Sequence, residues 1–421
     1  MVDLTGIEPM DLLNTILSQP LRVAHALRST HGLGGFMAVK AQLDRLAAFE
    51  PAPYPVVSLY LNTQPGQTGR DQFHTFVRKE FAARGRTFPA GSPERESLDK
   101  DLERISRFLD DDIDPAANGV AVFACSAGEL FEAVQMSAAI DEHWLYIGDQ
   151  PHLYPLARIE SLHPACAIVL ADTNAARIMV FAGGEMVSQE DVTGVKTRRS
   201  SQGGWSQARY QRHIENFHLQ HIKEVVDALE KIVQRENIPE IVVAGDEVVL
   251  PLLREQMPKH LQQKVVDHVR MNVNSPLEQL IGSSLDALRR ARTEGEREKV
   301  DAAVGGFRSG GLGVIGPKDT LEALVKGQVD ELLISSQLRS LQPMGAHAAS
   351  TAADSLGGVL PEPVLEPIAA GEPAEADAEM VRLADELVTR ATQTSAKITF
   401  IEHAHLLADY GGVAAILRFK I

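Results

Sequence analysis

Apolar residues in the first fifty positions recur at helical spacing, as Met10, Leu12, Leu13, Ile16 and Leu17 do, and Pro20 interrupts them. That pattern predicts two short helices. Residues 56–61 (VVSLYL) form a β-rich run closed by Asn62, Pro65 and Gly66, a strand followed by a turn. Phe73, Phe76, Val77 and Phe81 share one face of a predicted helix. Leu98, Leu102, Ile105 and Leu109 share one face of a second, over 97–109. Strands are predicted at 119–124, 129–134 and 144–146, which gives a first α/β unit over residues 1–158.

The second unit, residues 159–304, opens with CAIVLA (166–171), RIMVF (177–181) and a short strand after Gly183-Gly184, a meander of buried strands. A polar stretch over 189–207 leads into a long helix ending near Arg235, where Asn237-Ile238-Pro239 stops it. A strand (241–244), a helix, a strand (265–273) and a charged helix (276–300) follow. This is the order of a ribonuclease-H-like layer. GGFRSGGLG (305–313) reads as a hinge or turn. The third unit, 311–421, has helices at 320–326 and 380–392 and strands at 331–335, 397–401 and 413–419. Within it, residues 343–378 are rich in Ala, Pro, Gly and Glu, and no Lys or Arg occurs between Arg339 and Arg382. An acidic disordered insertion is expected there. The fold class is therefore α/β with three domains. The middle one is ribonuclease-H-like with a long helix after an exposed glycine-rich loop, and the last is an α/β/α domain of ribosomal-protein type.

Composition narrows the function. A chain of 421 residues suits two or three domains. With 44% hydrophobic and 23% charged residues it is globular rather than disordered. The formal net charge of −16 argues against a nucleic-acid binder on the average alone. Cys125 and Cys166 are too few for a disulfide framework or a thiolate zinc site. The longest apolar run, 165–171, is far short of a membrane span, and Asp3 and Glu8 do not suit a signal peptide. A cytoplasmic protein without membrane contact is expected.

One segment breaks the average. Residues 192–214 hold no acidic residue, yet they include Lys196, Arg198, Arg199, Arg209, Arg212 and His213 around a centre of SSQGGWSQ (200–207). A solvated charged loop would explain the cations. The helix that follows demands more. Ile214, Phe217, Ile222, Val225, Val226, Leu229, Ile232 and Val233 make an apolar stripe, whereas Gln207, Arg209, Gln211, Arg212 and His213 cover every face before it. Helix that is polar all round projects into solvent or into a partner. The glycine-rich tip then sits at the end of a long arm, at a helix N-terminus where free N–H groups attract phosphate or an oxyanion.

These residues resemble the archaeal/eukaryotic class-1 release factor and Pelota family, in its bacterial branch. There a Gly-Gly-Gln loop precedes a long helix in a ribonuclease-H-like middle domain, and the corresponding stretch here runs from Gly203-Gly204 to Arg212. Asp319-Thr320-Leu321, Ala323-Leu324, Gly327 and residues 332–334 resemble the start of the family's third domain. Residues 411–419 (GGVAAILRF) resemble its terminal strand, and 57–61 the opening strand of its first domain. The resemblance implies a partner, the ribosome, entered at the A site with contacts to rRNA of the peptidyl-transferase centre and to tRNA. It also implies delivery by a translational GTPase such as EF-Tu, with no cofactor and no metal. Gln207 would orient water against the peptidyl-tRNA ester. Gly203 and Gly204 would allow close backbone approach. Lys196, Arg198, Arg199, Ser206, Arg209 and Arg212 would hold phosphate, and Trp205 would stack on a base.

The pattern departs from the family in two places. Aligned without a gap, Trp205 occupies the family glutamine's position and Gln207 lies two residues later. In the first unit, residues 82–94 read AARGRTFPAGSPE in place of an Asn-Ile-Lys-Ser motif, which argues against stop-codon reading. Two readings stay open: codon-independent ribosome rescue by ester hydrolysis or tRNA release, and a Balon-like hibernation factor that fills the site without releasing peptide. A third is a Mg²⁺-dependent nuclease using Asp172 and Asp246-Glu247 at strand ends, against which stands the frequency of carboxylates in turns. His213, His218 and His221 lack the partners of a metal site. The cluster Arg289-Arg290-Ala291-Arg292, followed by Glu294, Glu296 and Glu298, reads as a solvated helix face.

Overall fold

The computed structural model describes residues 32–50, 53–64, 73–115, 117–136, 138–162, 164–182, 185–193, 207–271, 275–342, 368–371 and 378–420. The two helices expected around Pro20 lie outside them. The first unit comprises α1 (Gly32–Ala47), β1 (Val56–Asn62), α2 (Phe73–Arg84), α3 (Pro93–Asp111), β2 (Gly119–Cys125), β3 (Leu130–Met136), β4 (Trp144–Gly148) and α4 (Tyr154–Leu162). Helix α3 starts where the sequence equips it to. Ser92 Oγ accepts the Arg95 N–H, Pro93 follows the cap, and Glu94 and Glu96 sit in the first turn. The strands pair antiparallel in the order β4-β1-β2-β3. Both faces of β1 are buried: Val57, Leu59 and Leu61 pack under α2 and α3, and Tyr60 faces the opposite core.

The middle unit runs β5 (Cys166–Ala171), β6 (Ala175–Ala182), β7 (Glu185–Thr193), α5 (Gln207–Arg235), β8 (Glu240–Gly245), α6 (Val249–Gln256), α7 (Lys259–Gln262), β9 (Val265–Arg270) and α8 (Leu277–Arg308). Its strand order is β7-β6-β5-β8-β9. The first three strands are antiparallel and the last two parallel to β5. This is the ribonuclease-H-like order expected from the sequence. Helices α5 and α6 cover one face of the sheet and the first half of α8 covers the other.

The third unit has β10 (Gly313–Ile315), α9 (Pro317–Val325), β11 (Val329–Ser335), β12 (Ile368–Gly371), α10 (Ala378–Gln393), β13 (Lys397–Ile401) and β14 (Val413–Leu417). A four-stranded sheet is ordered β10-β14-β11-β13.

Three expectations need correction. Residues 368–371, inside the stretch read as disordered, form β12, which pairs antiparallel with β4 at the edge of the first unit's sheet. An Ala-Ala-Gly run carries little apolar signal, but backbone pairing does not need one. The GGFRSGGLG stretch is no free hinge. Gly305 and Gly306 continue α8, and a Cβ on Gly313 would overlap the Ala303 carbonyl oxygen, so glycine lets β10 cross the helix. The boundaries drawn at 158 and 304 both fall inside helices, α4 and α8. Helix α8 belongs to two units: Leu280 and Leu288 pack on the middle sheet, and Val300, Ala303 and Val304 on the third.

The first and third units share one core. Val39 and Leu43 of α1, Trp144 and Tyr146 of β4, Leu332 of β11 and Leu387 of α10 belong to a single buried cluster. No helix among the described residues is long and apolar enough to cross a membrane.

Candidate functional site

The sequence-predicted site lies between an edge strand and a long helix. β7 is the outer strand of the middle sheet, and its last residue, Thr193, pairs with Ala175 of β6. The chain returns at Gln207, the first residue of α5. Lys196, Arg198, Arg199, Gly203, Gly204, Trp205 and Ser206 lie outside the described residues. Gln207, Arg209 and Arg212 occupy the first two turns of α5, whose backbone is described.

Helix α5 has 29 residues, about 43 Å at about 1.5 Å per residue. Its far end is anchored as the sequence implies. Asn237 takes φ +48°, and the Ile238 N–H reaches back to the Val233 carbonyl, a Schellman-type closure followed by Pro239. Ile222, Val225, Val226, Leu229, Ile232 and Val233 are buried against the sheet. Over residues 216–220 no side chain is fully buried, Phe217 being half-buried, and burial begins at His221.

The charge around that helix is uneven. Its first turn holds no acidic residue, so no carboxylate within that turn offsets the partial positive charge of a helix N-terminus. Its body half borders a groove lined by Glu190, Glu224, Asp227, Lys231 and Arg235. Three carboxylates there disfavour a polyanion alongside the body and leave the helix start as the cationic end.

The nuclease carboxylates are neighbours at the ends of paired strands, following Ala171 and Gly245, which are in register. Each serves the backbone. Asp172 Oδ1 accepts the N–H groups of Asn174 and Ala175, and Asp246 Oδ1 those of Val248 and Val249. Glu247 pairs with Arg270 at 2.7 Å on the surface. No group of three potential metal ligands occurs among the described residues. His221 is buried with neither ring nitrogen partnered among the described residues, and His218 is half-buried. Arg292, read as part of a solvated face, instead donates to the Leu162 carbonyl and to Glu240.

Sequence reasoning missed a second cationic surface. On α2 and the turn after it, Arg78, Lys79 and Arg86 are exposed. The only acidic residue between Gln72 and Pro93, Glu80, is buried and paired with Arg84 at 3.3 Å and with Lys79 at 3.6 Å, so the cations outnumber it. Counting acids over a window, as for 192–214, would have found it.

Residues 151–291 match the bacterial archaeo-eukaryotic release factor family 10, and residues 295–421 match eRF1 domain 3. The two matches, to release-factor families over neighbouring regions, mark the chain as Pelota/eRF1-like, of a bacterial branch. The two matched regions abut inside the continuous helix α8. A Pelota homologue of Pyrococcus furiosus is 26% identical over 206 residues, 47% of this chain and 48% of that protein. The chain thus spans about half the length of the curated relative it matches. Among solved structures, an archaeal translation termination factor, aRF1, covers 92% of this chain and 98% of its own at 16% identity, with a TM-score of 0.24. Dom34 of S. cerevisiae, described as a translation termination-like factor of RNA quality control, covers 61% and 63% at 12% identity, with a TM-score of 0.37. A ribosome-bound archaeal Pelota covers 91% and 94% at 13% identity, with a TM-score of 0.38.

Proposed function

We propose that this chain is a ribosome-binding translation factor that enters the A site and rescues stalled ribosomes without reading a stop codon. The observation that carries the reading is the polarity of α5. An acid-free, arginine-bearing loop joins the start of a 29-residue helix whose apolar stripe begins only at Ile214, in a chain of net charge −16. Such an arm fits a deep site walled by RNA, with the acidic body held off by repulsion.

On this reading the arm carries Gly203, Gly204 and Gln207 to the peptidyl-tRNA ester. The amide of Gln207 orients a water whose oxygen attacks the ester carbonyl carbon. Backbone N–H groups at the glycines stabilise the oxyanion, and the tRNA 3′ oxygen leaves with a proton. Lys196, Arg198, Arg199, Ser206, Arg209 and Arg212 hold rRNA or tRNA phosphate, with Trp205 stacked on a base. Arg78, Lys79 and Arg86 give the first unit a phosphate contact of its own. A translational GTPase such as EF-Tu is the proposed delivery partner.

Trp205 at the family glutamine's position favours a second reading, hibernation, in which the loop fills the peptidyl-transferase centre and releases nothing. One assay separates the two. Peptidyl-tRNA on stalled ribosomes is expected to be hydrolysed by the wild type and spared by Gln207→Ala. Salt-sensitive binding without release in the wild type would transfer the reading to hibernation, and no ribosome binding at any salt concentration would overturn both.

A further inference from the structure

A strand at a sheet edge presents unpaired N–H and C=O groups to any other strand, and charge, proline or shortness blunts it. Among the described residues the three sheets have five edge strands besides β12, and each is blunted. In the middle sheet β7 carries Glu190 and Asp191, and β9 carries Asp267 and Arg270. In the third unit β10 is three residues long and β13 opens with Lys397. In the first unit β3 carries Glu132. Strand β4, with the sequence WLYIG, has neither charge nor proline, and all its residues are buried. It would be the exposed edge of its sheet if β12 did not lie against it.

The cover is slight. Strand β12 pairs antiparallel with β4, Ile368 opposite Ile147, Ala369 opposite Tyr146, Ala370 opposite Leu145 and Gly371 opposite Trp144. Four registers give about two hydrogen-bonded pairs. Ala, Ala and Gly are poor strand formers with little surface to bury, so backbone bonding carries the attachment. Ordering four residues costs backbone freedom that so few bonds barely return. Nor can the cover grow into a longer strand. Pro367 and Pro373 bracket it, with Glu366 and Glu372 beside them, and proline donates nothing to a ladder.

The chemistry of the covered edge selects what else would fit. A charged segment finds no counter-charge on β4, whereas a second β4 matches it. Antiparallel pairing about a two-fold axis at Tyr146 sets Trp144 opposite Gly148 and Leu145 opposite Ile147, so that each edge satisfies the N–H and C=O groups of the other.

We infer that the outer edge of β4 is a strand-docking surface, that β12 is its resident guard, and that a second copy of this chain pairs there through its own β4 when β12 leaves. Neither the arm nor a ribosome enters this inference, so it stands or falls separately from the proposed function.

Removal of the guard from the full chain tests it. Ala369→Pro with Ala370→Pro is one variant. Successive strand residues aim their N–H groups at opposite edges, so one of the two prolines removes a bond to β4. A second variant replaces residues 366–373 with Gly-Ser repeats of equal length. In sedimentation velocity both are expected to dimerise more tightly than wild type, by about tenfold or more. An excess of the peptide spanning residues 365–374 is expected to restore the monomer, and the same peptide carrying both prolines is not. Sedimentation like that of wild type, or association that the peptide does not reverse, would overturn the inference. So would loss of helix content by circular dichroism in both variants, since β12 would then be part of the core and no removable guard.

Discussion

Asp385 Oδ2 lies 2.6 Å from Nδ1 of His152, and the pair is buried between the first and third units. The other oxygen, Oδ1, accepts the Leu153 and Tyr154 N–H groups at 2.8 and 3.0 Å. One carboxylate of α10 thus caps α4 across the unit boundary and fixes the histidine ring. That ring sits edge-on to Trp144, with its centroid 4.2 Å away, and against Tyr146. Removing the carboxylate would leave three buried polar hydrogens without an acceptor. Asp385→Ala is expected to destabilise the protein by about 3–5 kcal/mol, the range for breaking a buried charged network. Urea unfolding would measure it, and a change below about 1 kcal/mol would refute the role assigned to Asp385.

Asp101 should behave in the opposite sense to an ordinary surface carboxylate. It is buried on the inner face of α3, where Ser126 Oγ donates to Oδ1 and Oδ2 has no partner among the described residues. Burial pushes its pKa up, and the Ser126 hydrogen bonds and the charges of Arg104 and Lys100 only partly oppose that. A raised folded-state value means that stability is fully present below the unfolded-state pKa and falls as pH rises through the folded one. Asp101→Asn removes this dependence. The stability of the variant relative to wild type is therefore expected to improve between pH 4 and pH 7, as followed by thermal melts across that range. A constant difference would count against the assignment.

Glu331 carries the reverse sign. Burial alone would raise its pKa, but hydrogen bonds from Lys299 and Thr399 and the charges of Lys299 and Lys397 outweigh it, and the net shift is downward. Its contribution is present above the unfolded-state pKa and is lost as pH falls through the depressed folded one. Glu331→Gln is expected to cost about 1.5–3 kcal/mol at pH 7, the range for hydrogen bonds to a charged group. The gap from wild type should close in acid. Denaturant titrations at pH 7 and pH 3 check both parts.

Arg78, Lys79 and Arg86 are expected to strengthen ribosome binding with little effect on fold stability, since all three are exposed and Glu80, which Lys79 meets at 3.6 Å, keeps Arg84 at 3.3 Å. Replacing them with Ala should reduce the slope of log affinity against log salt by about 2, at roughly 0.7–0.9 for each phosphate left unneutralised. The melting temperature should stay within about 2 °C of wild type. An unchanged slope in filter binding or sedimentation at several salt concentrations would remove this surface from the interface.

The middle unit was the most legible part of the chain. CAIVLA (166–171) and IMVF (178–181) are continuous apolar runs because both faces of β5 and of that part of β6 are covered, and the stripe from Ile222 to Val233 is buried as its spacing implied. The stop at Asn237 was also readable, since a left-handed residue before proline is local chemistry. Arg292 misled. Its neighbours in sequence suggested a solvated face, whereas the guanidinium is held by Glu240 of β8 and the Leu162 carbonyl at the end of α4. The candidate nuclease carboxylates did meet at adjacent strand ends, but local turn geometry claims an oxygen of each.

What the sequence determined by itself is whatever depends on near neighbours: helix and strand periods, caps and stops, and an acid-free window that marks a cationic end. Only the tertiary structure decided that the first and third units share a core. His152 and Asp385 are 233 residues apart, and β12 finds β4 through backbone hydrogen bonds that carry no side-chain signature. Pairing across such distances depends on which surfaces the whole chain brings together, and no window of adjacent residues encodes that.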